Sequence, residues 1–196
     1  MKSIALATTL ALAMAPAAAH AEDFLGGRIG LVGGWDRVSV DVSNIDGRGT
    51  NFDKNYDGAT FGLLTGYNFP LGETAIIGVG TSTMFSNNSK KFVVGANSLK
   101  VEAGRDLEIH VKAGVIATDY ALLYAKIGYA NAKAKAKAVI NGVTYEESDT
   151  GGGLRLGVGT EISLNDSFSL MAEYRYTNYS NDLKRNQIVA GVGYKF

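Results

Sequence analysis

His110 is the first place to look for chemistry, because it and His20 are the only histidines in the chain. It stands two residues from Glu108 and two from Lys112, so in an extended segment all three share one face. Hydrolysis of a lipid needs a His–Ser pair open to that lipid, and the face that carries His110 is the polar one. No metal centre is spelled out: the chain has no cysteine, and its carboxylates are scattered. Gly151-Gly152-Gly153 is not followed by the Gly-Lys-Ser/Thr of a phosphate loop, and no helix is signalled after it. No catalytic residue, metal or cofactor is therefore implied. What remains is a set of isolated charges of both signs, Glu108, Lys112, Lys126, Arg155, Glu161, Glu173 and Arg175, and three lysines at every second position, Lys133, Lys135 and Lys137.

The elements that carry these charges alternate. Ala59, Phe61, Leu63, Thr65, Tyr67 and Phe69 are interleaved with Thr60, Gly62, Leu64, Gly66 and Asn68. Leu154, Leu156, Val158, Thr160 and Ile162 are interleaved with Arg155, Gly157, Gly159 and Glu161. A period of two means strands with one apolar face and one small or polar face. The pattern recurs about eight times, ending on Ile188, Ala190, Val192, Tyr194 and Phe196. Val38, Val40 and Val42 switch parity relative to Trp35, which leaves the upper end of the first strand open.

Connections alternate too. Short turns fall near Pro70–Thr74, Ala117–Asp119 and Asn165–Ser167; longer polar stretches at 41–56, 86–104, about 133–152 and 178–185 read as loops. Asn141-Gly142 is a two-residue hairpin signal. If it forms that turn, Ile140 pairs with Val143, Tyr129 with Leu154, Ile127 with Leu156 and Ala125 with Val158. The two apolar rows then share a face; a slip of one residue would oppose them.

Residues 1–21 read as a cleaved signal peptide: Lys2, an apolar stretch from Ile4 to Met14 and a small-x-small site at Ala19-His20-Ala21. An uncleaved anchor is the other reading, but the stretch is shorter than the roughly 20 residues a spanning helix needs. Residues 22–196 then form one domain. Basic and acidic residues balance at 19 each, which argues against nucleic acid as a partner.

A water-soluble sandwich also alternates, with its apolar face inward. Two features favour the inverse, an all-β, eight-stranded antiparallel transmembrane β-barrel with an up-and-down meander. Glycine crowds the non-apolar face, as a narrow closed cylinder requires, and that face carries the charges, which can pair in a lumen filled by side chains. Closure also removes the backbone edge that lipid cannot tolerate. Aromatics near strand ends on the apolar face, among them Trp35, Tyr67, Phe85, Tyr129, Tyr174 and Tyr194, read as interface girdles, and otherwise as core. The interior charges form either a salt-bridge plug or the lining of a narrow conductance path. The lysines are either a ladder on the outer wall, level with lipopolysaccharide phosphates, or a solvated hairpin arm in which Lys137 faces Glu146. Asn44–Asn55 and Lys90, Lys91 and Phe92 are candidate recognition residues by position alone.

Leu123-Tyr124-Ala125-Lys126-Ile127-Gly128-Tyr129-Ala130, Ala172-Glu173-Tyr174-Arg175-Tyr176 and the ending Val192-Gly193-Tyr194-Lys195-Phe196 resemble the small outer-membrane β-barrel domain family, which includes OmpA/OmpX-like barrels, opacity-type adhesins and porin-like surface antigens. The resemblance implies a place in the outer membrane of a Gram-negative bacterium. It also implies that Phe196 is the signal read by the barrel-insertion machinery, with periplasmic chaperones as transient partners. Three functions follow as expectations: a non-enzymatic barrel for envelope integrity and contact with a host or other extracellular ligand; a narrow porin; and, least favoured, a lipid-modifying enzyme.

Overall fold

The structure, a computed structural model, describes residues 21–43, 51–87, 89–94, 97–140, 143–179 and 183–196. The expected signal peptide lies outside the described residues except for Ala21, and so does 44–50 of the first loop. A 3-10 turn, Ala21–Phe24, leads into nine strands: β1 Gly26–Ser43, β2 Asn51–Pro70, β3 Ala75–Ser86, β4 Ser89–Val94, β5 Asn97–Thr118, β6 Ala121–Ile140, β7 Val143–Ser163, β8 Phe168–Tyr179 and β9 Leu183–Lys195.

Neighbours in sequence pair antiparallel, β1 pairs with β9, and β3 pairs with β5. β4 pairs with β5 above the point where β3 ends, so β3 and β4 share one place in the wall and the closed ring has eight. Stepping across paired residues from Ile29 leads through Thr65, Thr81, Ile109, Tyr129, Leu154, Asn178 and Lys184 and returns to β1 at Ser39, an offset of ten residues. Because the offset is even, the ring closes with every strand on its own face. An offset of this size tilts eight strands by about 40°.

The hairpin register is the one the sequence predicts: Ile140 opposite Val143, Tyr129 opposite Leu154, Ile127 opposite Leu156 and Ala125 opposite Val158. The three short turns lie at the same end as the chain's two described ends. Gly72, at φ +74°, turns β2 into β3. The Asn165 side chain accepts hydrogen bonds from the amides of Ser167 and Phe168, which fixes the turn between β7 and β8. Phe196 N–H donates to Gly27 O, and Gly27 N–H donates to Phe196 O, at 2.9 and 3.0 Å.

Burial is inverted relative to a water-soluble protein. Leu31 is 68% exposed and Ile109 65%, while Arg155 and Arg175 are among the largest fully buried side chains. A continuous outer belt of Ile, Leu, Val and aromatic residues is what a wall facing hydrocarbon requires. Tyr67, Phe69, Phe168, Tyr194 and Phe196 mark its lower edge; Trp35, Phe61, Phe85 and Tyr129 mark its upper part.

Three stretches expected as loops are largely strand. Residues 41–43, 51–56 and most of 86–104 and 133–152 extend β1, β2, β4, β5, β6 and β7 upward. Their polar composition suggested loops, but the period of two persists through them: lysine alternates with alanine from Lys133 to Lys137. The parity switch at Val38 is also explained. The β1–β2 register runs unbroken from Gly26–Asn68 to Ser43–Asn51, so the strand does not slip. Instead the solvent changes. Above Trp35 water replaces lipid, and the faces exchange polarity, with Arg37 outward and Val38 inward.

An arginine at Val158, in mid-belt, is expected to cost about 2–4 kcal/mol, whereas arginine at Thr150 above the belt costs about 0–1. Equilibrium unfolding of the two variants from lipid vesicles measures the difference.

Candidate functional site

Of the seven charges that parity sets on the inner face, Glu108, Lys126, Arg155, Glu161, Glu173 and Arg175 are buried and Lys112 is half-buried. Arg155, from β7, is the hub. Its guanidinium lies 2.5 Å from Asp106 Oδ2 and 2.9 Å from Glu108 Oε2, and it donates to Thr177 Oγ1 and the Tyr179 hydroxyl at 2.7 and 3.1 Å. Glu108, from β5, is shared. Its Oε1 lies 2.7 Å from Lys126 Nζ and 3.0 Å from His110 Nδ1, and Ser82 donates to its Oε2 at 3.2 Å. Lys126 also lies 2.7 Å from Glu173, which accepts from the Tyr124 hydroxyl at 2.7 Å and from Arg175. On the other side Arg185 Nη1 reaches Asp106 at 2.7 Å, and its Nε and Nη2 grip both oxygens of Asp36 at 2.7 Å.

The result is one chain of alternating charge across the lumen: Asp36, Arg185, Asp106, Arg155, Glu108, Lys126, Glu173, Arg175. Glu161 and Lys112 belong to a second group below it. Glu161 is bound by Arg28, and Lys112 Nζ lies 3.6 Å from it and 4.9 Å from the Tyr124 ring centroid. Each charge in lipid-shielded surroundings requires a partner, because desolvation costs several kcal/mol per ion.

Space for these side chains comes from glycine. A Cβ at Gly157 would lie 2.8 Å from Lys126 Cε, and one at Gly159 would lie 2.7 Å from the Tyr124 hydroxyl. An interior cavity of about 40 Å³ remains between the two charge groups, lined by His110, Lys112, Tyr124 and Lys126 among others. That is room for a few waters.

The lower mouth is closed by the 3-10 turn. Phe24 is fully buried against Ile76, Ile116, Leu122 and Tyr124. Its carbonyl accepts from Asn68 Nδ2 at 2.6 Å and from Arg28 Nη2 at 2.7 Å, and Lys195 Nζ donates to Asp23 O at 2.6 Å.

Sequence reasoning missed Arg28, Asp36, Asp106 and Arg185. Parity would have found the first three: Asp106 shares a row with Glu108, Arg28 precedes Ile29 and Asp36 follows Trp35. Arg185 falls in the polar stretch 178–185, whose composition reads as a loop, but β9 begins at Leu183. Nothing in the sequence pointed to Phe24 as a cork.

At the outer rim Lys133, Lys135 and Lys137 keep one row of β6, because its register with β7 is unbroken. Lys137 pairs with Glu146 at 2.6 Å in the exposed hairpin arm. The Lys135 side chain, like those of Lys90, Lys91 and Phe92, lies outside the described residues. Lys133 is half-buried on the outer wall, opposite Thr150. On the opposite side of the ring Arg37 of β1 holds both oxygens of Asp57, at 2.7 and 3.1 Å, and lies 4.8 Å over the Trp35 ring.

Removing Arg155 leaves Asp106 and Glu108 buried with fewer partners. Arg155→Met is expected to destabilise the barrel by about 3–5 kcal/mol, and Lys137→Ala by less than about 1. Urea titration in vesicles checks both.

Residues 4–196 match the family described as outer membrane protein beta-barrel domain. The 31 kDa outer-membrane immunogenic protein of Brucella melitensis is 27% identical over 191 residues, covering 89% of this chain and 78% of that protein. The 25 kDa outer-membrane immunogenic protein of Brucella ovis is 29% identical over 135 residues, covering 69% of this chain and 62% of that protein. Among solved structures, Ail of Yersinia pestis, in complex with the heparin analogue sucrose octasulfate, superposes with a TM-score of 0.54 at 19% identity, covering 88% of this chain and all of Ail. Neisserial surface protein A gives a TM-score of 0.51 at 16% identity, covering 87% of this chain and 97% of that one.

Proposed function

We propose that this chain, which belongs to the outer membrane protein beta-barrel domain family, is a non-enzymatic, non-conducting barrel whose work is done by the strands it raises above the outer membrane. The observation that carries the reading is the pairing of a filled lumen with tall walls. β6 runs eleven residues beyond Tyr129, to Ile140, and β7 returns from Val143 in register. That hairpin rises on the order of 35 Å along its strands, far past the belt.

A porin needs a continuous wet path. Here two charge groups and the Phe24 cork occupy the lumen along its length. An enzyme acting on lipid needs a reactive group at the wall. His110 faces the lumen beside Glu108, and its ring packs where Gly80 has no side chain.

The projecting strands are the contact surface. Lys91, Lys100 and Lys137 occupy directly paired positions on β4, β5 and β6. Ail's complex with a heparin analogue is a property of Ail; it supports reading the upper strands that carry these lysine positions as the part of the chain that meets an anionic partner of a host or neighbouring cell. Envelope integrity follows from the ion-paired barrel itself. Export by cleavage after Ala21 and recognition of Phe196 during insertion complete the proposal.

Refolded protein in planar bilayers is expected to give no stable channels; reproducible unitary conductance would restore the porin. A variant in which Asn-Gly joins Lys133 to Thr150, deleting the hairpin arm, is expected to insert normally yet lose binding of expressing cells to epithelial monolayers. Undiminished binding would remove the arm from the contact surface.

A further inference from the structure

The β5–β6 ladder slips between Ala103 and Asp106, so that Gly104 and Arg105 together oppose the single residue Lys133. The approach is tight at that point: a Cβ on Gly104 would lie 2.5 Å from the Lys133 carbonyl oxygen. The bulge brings two cations side by side on the outer wall. Arg105 is exposed and lies opposite the outward Phe85; Lys133 continues the outward row of Tyr129.

Like charges on adjacent strands repel, and two other described cations of this rim have an acid beside them. Arg37 has Asp57 and Lys137 has Glu146. Among the described residues, neither Arg105 nor Lys133 has an ion pair or a side-chain hydrogen bond. Directly below them the wall is apolar and aromatic: Phe85 and Phe61, with ring centroids 6.0 Å apart, and Tyr129 at 58% exposure. The pair thus sits at the level where outward residues change from apolar to charged on β1 and β6. What fits is an anion carried on top of a hydrocarbon body. A guanidinium fork with an ammonium beside it suits a phosphate monoester.

We propose that Arg105 and Lys133 form a binding site for the phosphate monoester of an outer-leaflet glycolipid, whose acyl chains lie against Phe61, Phe85 and Tyr129. This rests on the reading that the projecting strands are extracellular.

The test uses the full barrel refolded in detergent and native mass spectrometry. The probes are diphosphoryl lipid A, the same lipid after phosphatase treatment, and inorganic phosphate. Arg105→Gln with Lys133→Gln is expected to weaken the phosphorylated lipid on the order of tenfold or more. Arg37→Gln with Lys184→Gln removes the same charge from β1 and β9 of the same rim and is expected to leave it within about twofold. Equal affinity in both double variants, undiminished binding of the dephosphorylated lipid, or inorganic phosphate binding as tightly as the lipid would each overturn the site. The folded, heat-modifiable gel mobility of each variant excludes misfolding as the cause. Labelling of a cysteine at Ser148 in intact cells tests the orientation separately, so a failure of topology is told apart from a failure of the site.

Discussion

The structure depends on keeping charge inside the wall of a membrane barrel. Asp36, Asp106, Glu108, Glu161 and Glu173 sit in the lumen with Arg28, Lys112, Lys126, Arg155, Arg175 and Arg185, and each is held by ions of opposite sign. Such pairs add little stability over a well-packed apolar core, but a broken pair is costly. The network therefore acts as a register lock. Its members come from β1, β5, β6, β7, β8 and β9, and a slip of one residue on β5, β6, β7 or β8 would push a charge into lipid. The glycines follow from the same requirement, since Gly157 and Gly159 leave the volume that Lys126 and Tyr124 occupy.

The outer face obeys the solvent it meets. Within the belt, apolar residues point out and polar ones in. Above Trp35 on β1 and above Tyr129 on β6 the assignment reverses, although the backbone register continues unbroken on both strands. The membrane boundary is thus written into the chain as a change of polarity at constant period. The proposed phosphate site lies on that boundary, where a bulge in β5 sets Arg105 beside Lys133.

Much of this was legible in the chain. Asn141-Gly142 set a register whose consequence, apolar rows meeting on one face, could be checked by counting; it matches the pairing of Tyr129 with Leu154. Inward charges followed from parity because the period of two leaves only two choices. Three things were not legible. Lysine and alanine between Lys133 and Lys137 have loop-like composition, and only the period shows a strand. Arg185 lay beyond an assumed loop boundary, so its bidentate hold on Asp36 was missed. Phe24 has no periodic neighbours, because a single 3-10 turn carries it, and its burial depends on Ile76, Ile116 and Leu122, which are distant in sequence.

The central claim is that the apolar rows meet acyl chains while the charged rows meet each other. Nuclear Overhauser transfer from lipid methylene protons to the folded barrel in bilayer nanodiscs tests it most directly, without any substitution. Along β7 the account predicts transfer to Leu154, Leu156 and Val158 and none to the Arg155 or Glu161 side chains. Transfer to Arg155 with Leu156 silent would mean that the wall is inside out, and would contradict the account.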